Sequence, residues 1–287
     1  MATPEWLIKS RERQERAVEA ATKIAAAHHV KSDAPVVLKD SNNTVVHLAP
    51  APVVAKVATS IIKRPNASSL GHELNVALHL AGACAPIVPP SGEIPPTVYR
   101  HEDLEVSFWQ YCPGEVREEI DRDELVFAIE QFHAAFDGYR GALGTFTETY
   151  EECRSLLDGG RMSPELSAAD RQSLRAAYEH LSAGLRAFDY ELVPAHTEVH
   201  GGNVMWPGAQ PLLIDFESCC LAPREIDFLS FSERRLAAHP ELDRGLMEVL
   251  RGLKSFCVAV WCWTQPDRAP EVREAAEYHL GRLRGLR

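Results

Sequence analysis

Apolar and polar positions follow two different rhythms along this chain, and the change comes near residue 112. From residue 4 to about residue 28, Trp6, Leu7, Val18, Ala21 and Ile24 recur at helical spacing among Lys, Arg and Glu residues, which predicts an amphipathic helix. Pro4 suits a first helical turn. Short runs rich in β-branched residues follow at 36–38, 44–48 and 52–57, and these read as strands. Asp40-Ser41-Asn42-Asn43 is a turn cluster, and 49–52 is a second turn. The pattern predicts an antiparallel meander of three strands. Helical spacing returns over 70–80, with Leu70, Leu74, Ala77, Leu78 and Ala81 on one side. A connection containing Pro89-Pro90 and Pro95-Pro96 leads to a strand pair at 97–99 and 104–111. Cys112-Pro113-Gly114 breaks the pattern. Beyond it the spacing is mostly helical, at 123–136, 148–158, 168–188, 244–264 and 270–286. Between 191 and 216 short β segments such as 212–214 alternate with loop.

A strand-rich part therefore precedes a helix-rich part. The predicted class is α+β, with a small antiparallel-sheet lobe over 1–112, a larger helical lobe over 113–287 and a cleft between them. A chain of 287 residues has ample length to bury a core. Its 45% hydrophobic and 25% charged residues are those of a globular protein. The formal net charge of −11 repels nucleic acid and anionic membrane and tolerates or attracts cationic ligands, but its plainer and weightier reading is solubility. There is no basic patch with interleaved aromatics, so nucleic-acid binding is set aside. No uninterrupted apolar run is long enough to span a bilayer. The polar, charged opening is unlike a secretory leader. The seven cysteines are scattered and odd in number, which points to a reduced, cytoplasmic protein. Cys219 and Cys220 are adjacent, without the gap of a metal or redox motif.

The informative stretch is His196-Thr197-Glu198-Val199-His200-Gly201-Gly202-Asn203, followed by Leu212-Leu213-Ile214-Asp215. Phosphoryl transfer needs a carboxylate near the acceptor hydroxyl, groups that hold a metal ion, and a backbone that places them rigidly. Glu198 and Asn203 stand on a glycine-containing loop that lets the chain turn back on itself. Asp215 follows an apolar run, so it would sit at the end of a buried strand. A carboxylate there is costly unless it binds a cation or accepts several hydrogen bonds.

This pattern resembles that of the aminoglycoside phosphotransferase family, which shares its framework with protein kinases and typically carries His-Gly-Asp-x-x-x-x-Asn. The resemblance implies a protein-kinase-like two-lobe fold and a nucleotide-dependent O-phosphotransferase acting on a small hydroxyl-bearing molecule. Its cofactors would be ATP or GTP with Mg²⁺. Asn203 and Asp215 would bind the metal, and Glu198 stands where the catalytic Asp belongs. Ala222-Pro223-Arg224-Glu225-Ile226-Asp227-Phe228 resembles a further family segment, in which Asp227 would brace the catalytic loop. Lys56 would contact the nucleotide phosphates, with Glu73 as its ion-pair partner. Trp109-Gln110-Tyr111-Cys112 would be the hinge whose backbone meets the base, so Gln110, Tyr111 and Cys112 join the nucleotide site. The turn 40–44 lies where the nucleotide-covering loop belongs, although it lacks Gly-x-Gly-x-x-Gly. The resemblance implies nothing about oligomeric state.

Two positions depart from the family pattern. Thr197 replaces Gly, a change read as minor. Glu198 replaces Asp, and the extra methylene moves the carboxylate by up to ~1.5 Å. A displacement of ~1 Å can cost about 10²-fold in rate. A second reading follows, in which the chain is a pseudokinase-like module that binds nucleotide with weak or no transfer. A third is nucleotidyl transfer. Plainer readings stand for other residues. His196 would brace the loop, and a zinc pair from His196 and His200 is set aside because no helix carries both. Trp261 and Trp263 read as core. Glu118, Glu119, Asp121, Asp123 and Glu124 read as a solvated helix start.

Overall fold

The computed structural model describes residues 5–59, 70–117, 120–160, 162–264 and 269–286. Pro4, Glu118 and Glu119 lie outside these. In chain order the first elements are α1 (Glu5–Ala27), β1 (Val36–Asp40), β2 (Thr44–His47) and β3 (Val53–Val57). Next come α2 (Leu70–Gly82), β4 (Tyr99–His101), β5 (Leu104–Gln110), β6 (Glu115–Val116) and α3 (Asp123–Phe136). Then follow α4 (Phe146–Asp158), α5 (Ala168–Leu185), β7 (Val193–Ala195), β8 (Val204–Trp206), β9 (Leu212–Leu213) and β10 (Cys220–Ala222). The last helices are α6 (Glu233–Leu236), α7 (Arg244–Trp263) and α8 (Pro270–Leu283). The class is the expected α+β.

The chain divides into two compact units, Met1–Ala142 with Glu198–Cys219, and Leu143–Thr197 with Cys220–Arg287. In the first unit the expected meander and strand pair merge into one five-stranded sheet of order β1-β2-β3-β5-β4. The join is the antiparallel pairing of β3 with β5, from Val53↔Gln110 to Val57↔Val106. Period-two alternation gives the sheet two different faces. Val46, Val53, Ala55, Val57, Val106 and Phe108 pack with Ala17, Ala20, Ala21, Ile24 and Ala25 of α1. The alanines form a smooth stripe that lets the helix lie close to the strands, as the helical spacing requires. Val54 and Lys56, between the core positions of β3, belong to the opposite face. β1 runs two residues beyond its expected end, into what the sequence read as a turn, and its register shifts between Val37 and Lys39. A second sheet, β6-β8-β9, is built from strands too short to show a period.

In the second unit β7 pairs with β10. Helix starts follow their capping chemistry. Thr145 and Glu148 form a capping box on α4, and the side chains of Ser167 and Asp243 accept amide hydrogen bonds at the starts of α5 and α7. Gly252 of α7 sits close to α5, where a Cβ would stand 2.5 Å from Leu181 Cδ2 and that side chain would have to shift. Trp263 is buried and its indole donates to the Ala276 carbonyl, which is the expected core role. Among the described residues no helix is long and apolar enough to cross a membrane.

Candidate functional site

Lys56 is the centre of the arrangement. It lies on β3, on the sheet face away from α1, and is nearly buried. Its Nζ donates to Glu73 Oε1 at 2.9 Å and to Asp215 Oδ1 at 2.8 Å, and Glu217 Oε1 lies 2.6 Å away. Glu73 comes from the first turn of α2 and is 1% exposed. It also accepts the Phe216 amide at 3.2 Å. Burial raises the Glu73 carboxyl to about 7, although Lys56 pulls against the rise. Burial acts to lower Lys56, but Glu73, Asp215 and Glu217 outweigh it and hold the ammonium well above its ordinary value.

Asn203 and Asp215 are brought to one end of a hairpin by the pairing of β8 with β9, Val204↔Leu213 and Met205↔Leu212. Ile214 N donates to the Asn203 carbonyl at 3.1 Å. Asp215 then leaves the strand at φ +70°, a left-handed conformation that Asp tolerates better than most residues. Asn203 closes a short 3-10 turn, Gly201–Asn203. Its side-chain amide donates to the Glu198 carbonyl at 3.1 Å, and its backbone amide to the His200 carbonyl at 2.9 Å. His200 Nδ1 accepts from Gly202 N at 3.1 Å, so its imidazole serves the loop.

These residues border a cavity of about 440 Å³. Lys56, Glu73, Asn203 and Asp215 line it together with Gln110, Tyr111 and Cys112. Seven of the eight predicted site residues therefore share one cavity. The eighth, Glu198, is not in the lining and is half-buried. In the expected hinge, Gln110 N donates to the Pro89 carbonyl at 3.0 Å and Tyr111 N to the Pro52 carbonyl at 2.9 Å. Of the three hinge amides, that of Cys112 makes no backbone hydrogen bond among the described residues. The Tyr111 ring is stacked on His47 at 3.7 Å.

The sequence reading passed over Glu217. No local pattern marks it, because Asp215 leaves the strand at φ +70° and Glu217 lies in the turn beyond. Asn43 was passed over too, and its side-chain amide donates to Glu217 Oε1 at 2.6 Å. Thr197 needs a correction. It stands at φ +68°, where Gly is at ease and a β-branched residue is strained, so its replacement of Gly is not a minor change. Within the second unit Asp227 holds that backbone. It accepts from His196 N at 2.9 Å and from Thr197 N at 2.6 Å.

The donor set fits a divalent cation. Carboxylate oxygens of Glu73, Asp215 and Glu217 lie within 4.8 Å of one another. They surround the single Lys56 ammonium, so carboxylates outnumber cations three to one. Glu73 Oε2 is buried with no hydrogen-bond partner among the described residues. Hard oxygen donors of this kind suit Mg²⁺.

A model of the phosphotransferase enzyme family matches residues 33–267. Solved structures share the fold. A spectinomycin phosphotransferase, solved with ADP and spectinomycin, is 10% identical with a TM-score of 0.65, over 93% of this chain and 98% of that one. An amicoumacin kinase, solved with AMP-PNP and Ca²⁺, is 13% identical with a TM-score of 0.65, over 96% and 95%. A choline/ethanolamine kinase family protein from Mesorhizobium loti is 15% identical with a TM-score of 0.57, over 93% and 94%. No curated protein sequence matches the chain.

Proposed function

Because the chain belongs to the phosphotransferase enzyme family, we propose that it is a nucleotide-dependent O-phosphotransferase that uses ATP or GTP and acts on a small hydroxyl-bearing molecule. The observation that carries this reading is the cavity with the hinge residues and the Lys56 cluster in one lining. A base against the Cys112 amide and phosphates toward Lys56 match that layout. Lys56 would bind phosphate oxygens, with Glu73 fixing its position. Asp215 and Asn203 would hold Mg²⁺, with Glu217 beside them. The metal would neutralise phosphate charge during transfer. Glu198 would orient the acceptor hydroxyl and receive its proton. Its place outside the cavity lining suits a group that serves the acceptor.

The net charge of −11 favours a cationic acceptor. The neighbours named for spectinomycin, amicoumacin and choline or ethanolamine suggest a first panel of amino sugars and amino alcohols. Incubation of the protein with ATP or GTP, Mg²⁺ and this panel, followed by mass analysis, tests the reading. A product carrying one phosphate is expected, and Asp215→Ala should reduce its formation at least about 10²-fold. Unchanged transfer by that variant would sink the assignment, and a nucleotide adduct would point to nucleotidyl transfer.

Glu198 in the place of Asp favours a second reading, a nucleotide-binding module with weak transfer. Glu198→Asp discriminates. A large gain in rate would mark an impaired site, and a loss would mark a pocket built around Glu.

A further inference from the structure

The edge strand β1 sorts two neighbouring charges onto opposite faces of the sheet. Val36 pairs with His47 and Val37 with Val46; the ladder then skips Leu38 and resumes with Lys39 opposite Val45 and Asp40 opposite Thr44. One extra residue on one strand is a bulge, and it reverses side-chain parity beyond it. Val45 lines the cavity, whereas Val46 packs on the α1 side and Thr44 shares its parity. The bulge therefore sends Lys39 to the cavity side, where it lines the wall, and Asp40 to the α1 side. An unbroken ladder would exchange the two. It would set the Asp40 carboxylate on the cavity side, which already holds Glu73 and Asp215.

Asp40 is thoroughly engaged in its place. It accepts from Ser10 Oγ at 2.7 Å, Arg13 Nε at 2.9 Å, Arg13 Nη2 at 2.6 Å, Gln14 Nε2 at 3.0 Å and Thr44 Oγ1 at 2.9 Å. The fork from Arg13 is bidentate, the geometry that fixes a carboxylate most firmly. Lys39 is exposed and makes no ion pair among the described residues. The loop that follows has no Gly-x-Gly-x-x-Gly, so it lacks the backbone freedom with which glycine loops fold their amides closely over phosphates. Its Asn43 side chain is occupied by Glu217.

We propose that Lys39 is a phosphate-binding residue of the nucleotide site, set there by the bulge in β1, and that Arg13 of α1 is a positioning residue that keeps the bulge in register by holding Asp40. The inference rests on the nucleotide reading above. A cation at the strand end takes over the attraction that glycine-loop amides supply elsewhere.

Titration separates the two ideas. Wild type, Lys39→Met, Lys39→Arg and Arg13→Met are titrated with ATP and GTP in Mg²⁺, and with adenosine and guanosine. For the triphosphate that wild type binds, Lys39→Met should weaken affinity about tenfold, the size of one charge-assisted contact. Its affinity for the matching nucleoside should stay within about twofold of wild type. Lys39→Arg should restore the triphosphate affinity. Arg13→Met, folded by circular dichroism, should weaken the triphosphate more than the nucleoside. Wild-type triphosphate affinity in Lys39→Met would overturn the inference, as would an equal loss for the nucleoside. Failure of wild type to bind either triphosphate would fell the nucleotide reading itself, and this inference with it.

Discussion

At Lys56 a single buried ammonium faces the carboxylates of Glu73, Asp215 and Glu217. Removing it leaves Glu73 buried and uncompensated. Lys56→Met should therefore cost about 3–5 kcal/mol of stability in denaturant unfolding. Adding Glu73→Leu should return part of that loss, because the stranded charge goes with it. A single variant as stable as wild type would refute the cluster. Thr197 calls for the opposite change. Thr197→Gly should raise stability by up to about 1 kcal/mol by relieving the left-handed backbone, read as an increased Tm, and a drop of that size would refute the strain. The family resemblance singled out Lys56, Glu73, Asn203 and Asp215, and the four do line one cavity. Glu217 and Asn43 were not legible, because their roles depend on how a strand exit and a loop tip meet, which no local pattern records.

Among the elements, α1 and β1 illustrate what hydrophobic spacing gives and withholds. The helix was legible from its apolar stripe. The bulge was not, because a one-residue shift leaves the composition of the strand unchanged and shows only in its pairing with β2. The alanine stripe has a consequence for packing. Ala21 is fully buried against the sheet, so Ala21→Leu should overpack the contact and cost about 1–3 kcal/mol. A neutral effect would mean that the helix does not seat as described. The tie between α1 and β1 also predicts a pH dependence. Burial would raise the Asp40 carboxyl, but hydrogen bonds from Arg13, Gln14, Ser10 and Thr44 outweigh it and hold the group at about 2. The unfolded chain takes the proton first, near ~3.9. The stabilisation is therefore complete above about pH 4 and is lost as pH falls through about 2. Asp40→Asn should cost about 1–2 kcal/mol at neutral pH, and its gap from wild type should close between about pH 4 and 2. A gap that stays constant over that range would contradict the tie.

For the molecule as a whole, the first unit gathers the sheet and then takes back the segment Glu198–Cys219. That return puts Asn203 and Asp215 into the same cavity lining as Lys56, Glu73 and the hinge. The sequence announced the class and the order of these parts. It did not announce pairings such as Glu115↔Trp206, whose short strands carry no periodic signal of their own. If this shared lining is a magnesium–nucleotide site, equilibrium titration shows it without knowledge of the acceptor. ATP and GTP are titrated into wild type and into Asp215→Ala, each with and without Mg²⁺. The predicted result is that wild type binds at least one of them, more tightly with Mg²⁺ than without. Asp215→Ala should lose most of that magnesium dependence and about tenfold or more in affinity. Binding of neither nucleotide by wild type, or the same magnesium-dependent affinity in the variant, would contradict it.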